Sequence, residues 1–218
     1  KRSMGSEDLF KKRKAKRLSD YQRKKAYRQP YERILIVCEG EKTEPFYFKS
    51  LCASLSLHTA NVEITGNCGS SPKSIFKKAQ EMFKEAEKEQ NPFDKVYCVF
   101  DKDCHHGYND VVQQISSKKP KNTFFAITSV PCFEYWLLLH FERTTSPFKT
   151  AEEVISKLKQ FIPNYEKGDK NIFEDVKQSI QVALHNAKHV NEEACKNHTD
   201  NPSTCVLVLI DKLLNLKN

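Results

Sequence analysis

The chain is expected to fold as an α/β protein, a four-stranded parallel sheet flanked by helices with a helical C-terminal extension. Three observations predict this. Short apolar runs rich in β-branched residues recur up to Thr128. Between them lie longer segments whose apolar residues repeat at helical spacing, and such alternation joins parallel strands through right-handed crossovers. Two of the runs end abruptly in carboxylates, Glu39 after the first and Asp101 and Asp103 after a later one. In a parallel sheet those positions are the carboxyl ends of strands, where ligands bind.

Arg33 to Cys38 reads as the first strand, with Ile34, Ile36 and Val37 β-branched. Thr43 is placed to cap a helix that starts at Glu44-Pro45, with proline in the first turn. That helix carries Phe46, Phe48, Leu51 and Leu55. Asn61 to Thr65 is a short second strand. The polar loop Gly66 to Ser71 follows, and Ser71-Pro72 opens a second helix reaching Glu89, with Ile75, Ala79, Met82, Phe83 and Ala86 at helical spacing. Asn91-Pro92-Phe93-Asp94 breaks it. Lys95 to Phe100 is the third strand, and Asp103 to Tyr108 a polar loop. Val111, Val112 and Ile115 suit a short helix, and Asn122 to Thr128 is the fourth strand. After Pro131 the alternation stops. Phe133 to Phe141, Thr150 to Phe161, Ile172 to Val190 and Pro202 to Leu216 read as helices.

At 218 residues the chain can hold one sizeable core plus an extension. The expected divisions are a basic arm over 1–30, the α/β core over 31–143, and the helical extension over 144–218. No window approaches the roughly eighteen apolar residues of a membrane span, and the N-terminus lacks an apolar signal core. A cytoplasmic protein is expected. The eight cysteines form no C-x-x-C pair, which argues for reduced thiols rather than a zinc ribbon or redox motif. Thirteen Lys/Arg against four Asp/Glu fall within residues 1–33, so the net charge of +8 is concentrated there. Lys11, Lys12, Arg13, Lys14, Lys16, Arg17, Arg23, Lys24 and Lys25 are the candidate nucleic-acid contacts, collecting phosphates by counterion release.

Asp101 and Asp103, two residues apart on an extended strand, can face one point, and Glu39 can face it from the first strand. Converging carboxylates repel unless a cation neutralises them. Oxygen donors of this kind suit Mg2+ or Mn2+, which can position and polarise a phosphodiester. Glu134, near the start of an apolar helix, is a further candidate acid. Lys167, in a polar loop, is placed to offset charge in a transition state. His105 and His106 follow the D-x-D and read as loop histidines, whereas His140 reads as a hydrogen-bonded core residue. Gly66 to Ser71 lacks the P-loop pattern.

The strings Val37-Cys38-Glu39-Gly40 and Phe100-Asp101-Lys102-Asp103 resemble the two acidic motifs of the Toprim (Rossmann-like) fold, shared by topoisomerases, primases and overcoming-lysogenisation-defect nucleases. The longer Ile36-Val37-Cys38-Glu39-Gly40-Glu41-Lys42-Thr43-Glu44-Pro45 is similar to the RloB-like branch. So are Pro131-Cys132-Phe133-Glu134, Trp136 to Phe141, Tyr165-Glu166-Lys167-Gly168 and Asn201-Pro202-Ser203-Thr204. The resemblance implies a metal-dependent nuclease of phage-defence loci, with DNA or RNA, tRNA included, as substrate and an ATPase partner encoded nearby. It implies catalytic or metal-ligand roles for Glu39, Asp101 and Asp103, with Glu44 a second-site carboxylate and Glu41 its competitor. The alternative is a non-catalytic nucleic-acid or nucleotide-binding module of a defence complex.

Overall fold

The structure is a computed structural model and describes residues 32–57, 61–66, 69, 71–102 and 107–216. The arm residues, Asp103, His105 and His106 therefore lie outside the described residues. Glu32–Asn218 form one compact unit. Its sheet has the order β2-β1-β3-β4-β5. The strands are β1 (Ile34–Cys38), β2 (Val62–Thr65), β3 (Lys95–Asp101), β4 (Phe124–Val130) and β5 (Ser203–Thr204). The first four run parallel, with Ile34 beside Val62 and Lys95, and Val96 beside Phe124.

The sheet is nevertheless mixed. Ser203–Thr204 adds an antiparallel edge, Thr204 opposite Ser129 and Ser203 opposite Val130. The four expected strands do run parallel, but the sheet is not confined to them, and the helix expected from Pro202 begins only at Val206. Two residues after an Asn-Pro carry no strand periodicity, so their pairing depends on contacts distant in sequence. Ser129 and Thr204 share a buried hydroxyl–hydroxyl hydrogen bond of 3.0 Å. The Asn191 side chain donates to the Thr204 carbonyl and accepts from its N–H, at 2.7 and 3.1 Å. An amide thus stands where a sixth strand would pair, and satisfies the edge.

Alternate residues of β1 enter two different cores. Ile34, Ile36 and Cys38 join one apolar cluster, Leu35 and Val37 the other. Burial on both faces is why the strand reads as an uninterrupted apolar run. The second cluster is covered by α2 (Pro72–Lys88) and α3 (Tyr108–Ser117). The first is covered by α1 (Thr43–Ser54) and by the C-terminal helices: α4 (Glu134–Leu138), α5 (Ala151–Leu158), α6 (Ile172–Val176), α7 (Ile180–Lys196) and α8 (Val206–Leu214). A 3-10 turn, Lys177–Ser179, divides the single helix expected over 172–190. Ser71 caps α2 through a capping box with Ser74, as its sequence suggests. Thr43 does not cap α1. Residue 42 holds the cap position without a side-chain bond, and the Thr43 hydroxyl is engaged elsewhere. Among the described residues no helix is long and apolar enough to cross a membrane.

The helix after β1 packs on one face of the sheet and the helix after β3 on the other, although the two strands are neighbours. Helices departing to opposite faces open a crevice at the carboxyl ends of β1 and β3. Glu39 and Asp101 stand at that crevice.

Candidate active site

Glu39 directly follows β1, and its N–H donates to the Val99 carbonyl at 3.0 Å, which prolongs the pairing with β3 by one residue. Its Oε2 accepts from the Asp101 N–H at 3.2 Å. The two acidic strand ends, 62 residues apart in sequence, are thus in direct contact. Asp101 has the same parity along β3 as Tyr97 and Val99, which belong to the core beneath α1 and α4. Its side chain accordingly leaves the sheet towards those helices.

Glu44, the second residue of α1, and Glu134, the first of α4, come from that side. Both are buried, with only 8% and 3% of their surface exposed. A cleft of about 330 Å³ is lined by Glu39, Glu44, Asp101 and Glu134, with Glu41, Lys42 and Lys167 also on its wall. Glu41 is exposed where Glu44 is buried. Lys167 lies in the connection between α5 and α6, its Nζ 3.8 Å from Glu134 Oε1.

The acids raise one another. Burial pushes the Asp101 carboxyl well above the ordinary carboxylate range, and the charges of Glu44, Glu134 and Glu39 add to it, while the Phe133 N–H bonded to it opposes. Burial also raises Glu44. There a backbone hydrogen bond opposes, Glu134 and Glu39 add, and Lys167 opposes. Glu134 accepts from the Tyr165 hydroxyl at 3.0 Å, and its charge helps to raise the buried Cys132 thiol, for which burial is the larger cause. Gly40 completes the packing, since a Cβ there would stand 2.4 Å from Glu44 Oε2.

This donor set is one of hard oxygens, short of compensating positive charge, and it matches the chemistry of Mg2+ or Mn2+. Among the described residues no three His, Cys, Asp or Glu side chains form a group with metal-ligand geometry. Asp103, one of the expected ligands, is not among them.

His140 is set apart from this chemistry. It lies 2% exposed in the core, its Nδ1 3.1 Å from the Trp136 carbonyl and its Nε2 3.4 Å from the Tyr47 hydroxyl. A carbonyl only accepts, so Nδ1 carries the proton and Nε2 accepts from Tyr47. Sequence reasoning assigned no role to Tyr165 or to the hydroxyl of Thr43 beyond a cap. The conspicuous string Tyr165-Glu166-Lys167-Gly168 was the available signal, but nothing in it says which side chain the phenol meets.

Residues 34–213 match the model of a protein family described as RloB-like protein. No curated protein matches the chain.

Proposed function

The chain belongs to the RloB-like family, and from that premise we propose that it is a divalent-metal-dependent nuclease of Toprim type, cleaving nucleic-acid phosphodiesters in bacterial anti-phage defence. One observation carries the reading. Four carboxylates from two neighbouring strand ends and two helix starts line a single cleft at the sheet's crevice, with a lysine over them. Glu39, Glu44, Asp101 and Glu134, joined by Asp103, would hold Mg2+ or Mn2+. Such an ion supplies charge neutralisation and an acidified water.

The chain's own residues do the rest. Glu39 is positioned by the Asp101 amide to accept a proton from water. Water oxygen bonds to phosphorus, the ester P–O bond breaks, the departing oxygen takes a proton from solvent, and Glu39 returns the proton it accepted to solvent. Lys167 faces the anionic phosphate from the rim and offsets charge that builds on it. The arm residues Lys11 to Lys25 would grip the nucleic-acid backbone, and an ATPase encoded nearby would hold or trigger the enzyme.

A panel of DNA and RNA substrates, tRNA included, incubated with Mg2+, Mn2+ or chelator tests this. Wild type should cleave at least one substrate only with metal, and D101A and E39A should each lose ~10²-fold or more. Cleavage that survives both substitutions removes the site assignment. Binding without turnover under any divalent ion would establish the non-catalytic module instead.

A further inference from the structure

We propose that Tyr165 is a positioning residue of the acidic cleft. Its hydroxyl holds the Glu134 carboxylate, and the nearby Gly168 amide, bonded to Thr43, straps the loop bearing Tyr165 and Lys167 to the helix bearing Glu44. This deepens the nuclease reading and rests on it.

Two hydrogen bonds from one loop make the strap. The Gly168 N–H donates to Thr43 Oγ1 at 2.9 Å, a contact between residues 125 apart in sequence. The Tyr165 hydroxyl donates to Glu134 Oε1 at 3.0 Å. Tyr165 is 0% exposed, Thr43 8% and Glu134 3%, so water does not compete for these bonds. Lys167 Nζ approaches the same Oε1. One carboxylate oxygen therefore takes both the phenol and the ammonium, which sets the rotation of the group.

Gly168 makes the arrangement possible. Its φ of +86° aims the N–H at α1, and its missing side chain leaves room for the stem of Lys42, whose Cδ would lie 2.8 Å from an added Cβ. Two hydrogen bonds from the connection between α5 and α6 thus reach segments distant in sequence, one the start of α1 and the other the start of α4.

A buried tyrosine need not serve a cleft. Tyr135, equally buried, donates to the Thr144 backbone carbonyl at 2.6 Å and touches none of the cleft acids by its hydroxyl. Tyr165 gives its proton to a carboxylate on the cleft wall. The two residues form a matched pair: Y135F removes a scaffold bond and Y165F removes a site bond.

The full-length chain is compared as wild type, Y165F, Y135F, E134Q and Y165F/E134Q. The readouts are single-turnover cleavage with Mn2+, Mn2+ affinity by electron paramagnetic resonance, and melting temperature. Both phenylalanine variants should melt a few degrees lower, by roughly equal amounts. Y165F should cleave ~10-fold more slowly or worse, or bind Mn2+ correspondingly more weakly, while Y135F stays within about twofold of wild type. In the E134Q background the Y165F change should have no further effect, because the amide still accepts the phenol but no longer offers the charged oxygen that this bond positions. Equal behaviour of Y165F and Y135F overturns the proposal. So does a Y165F loss that persists undiminished beside E134Q. A wild type that neither cleaves nor binds Mn2+ overturns the nuclease reading itself, and the positioning role falls with it.

Discussion

Replacing Gly40 with alanine adds one methyl group and should cost activity far more than stability. Gly40 is not among the glycines with positive φ, so its backbone can take an alanine without strain. The new Cβ would stand 2.4 Å from Glu44 Oε2 and 3.2 Å from Glu44 Cδ and Oε1. Ordinary contact begins at 3.4 Å, so the carboxylate must retreat by about 1 Å. It is the far end of a flexible side chain, and leaving its rotamer costs about 0.5–1.5 kcal/mol. For a protein of this length that lowers the melting temperature by ~1–6 °C. A misplacement of ~1 Å in a reacting constellation costs on the order of 10²-fold in rate, or about 2.7 kcal/mol of transition-state stabilisation. Single-turnover cleavage and thermal melting of G40A are the paired measurements. G40A/E44A should be no slower than E44A alone, because the clash has been removed. A G40A enzyme within about threefold of wild-type rate would refute the reasoning, since Glu44 would then not need its observed place. A fall in melting temperature beyond ~10 °C would refute it differently, by showing that the backbone rather than the side chain yields.

The remaining expectations concern the scaffold. G168A must place a β-carbon at φ +86° and against Lys42 Cδ at 2.8 Å. The left-handed conformation alone costs ~1–2 kcal/mol, so melting should drop by ~2–8 °C, and an unchanged melt would contradict the geometry. His140 makes stability acid-sensitive. Burial lowers its imidazole from 6.5 to about 4, against the opposing bonds to the Trp136 and Leu137 backbones. Above pH 6.5 the stabilisation is fully present. As pH falls from 6.5 towards 4, the unfolded chain takes up a proton that the folded one refuses, and stability is lost by up to ~3 kcal/mol. Denaturant unfolding of H140Q should show a shallower pH slope across that window than wild type, and identical slopes would count against it.

Periodicity and composition were enough to read the parallel strands and most of the covering helices, because β1 and the middle of β3 are buried on both faces and therefore read as unbroken apolar runs. Placing Glu39 and Asp101 at strand ends followed from the same local pattern, as did the Ser71 cap of α2. Local pattern could not reveal what depends on meetings across the chain. The Ser203–Thr204 edge is held by Ser129 and Asn191, and no two-residue strand announces such partners. Thr43 looks like a cap in sequence, yet its hydroxyl serves Gly168, because a loop 125 residues away closes over the helix start. Glu44 and Glu134 become part of one acidic cleft only because the crevice between β1 and β3 turns α1 and α4 towards it. Side-chain chemistry is written residue by residue. Which charges repel, and which hydroxyl fixes which carboxylate, was decided by the fold, since electrostatic and hydrogen-bond energies depend on separation in space and on exclusion of water, and neither quantity is a property of the linear chain.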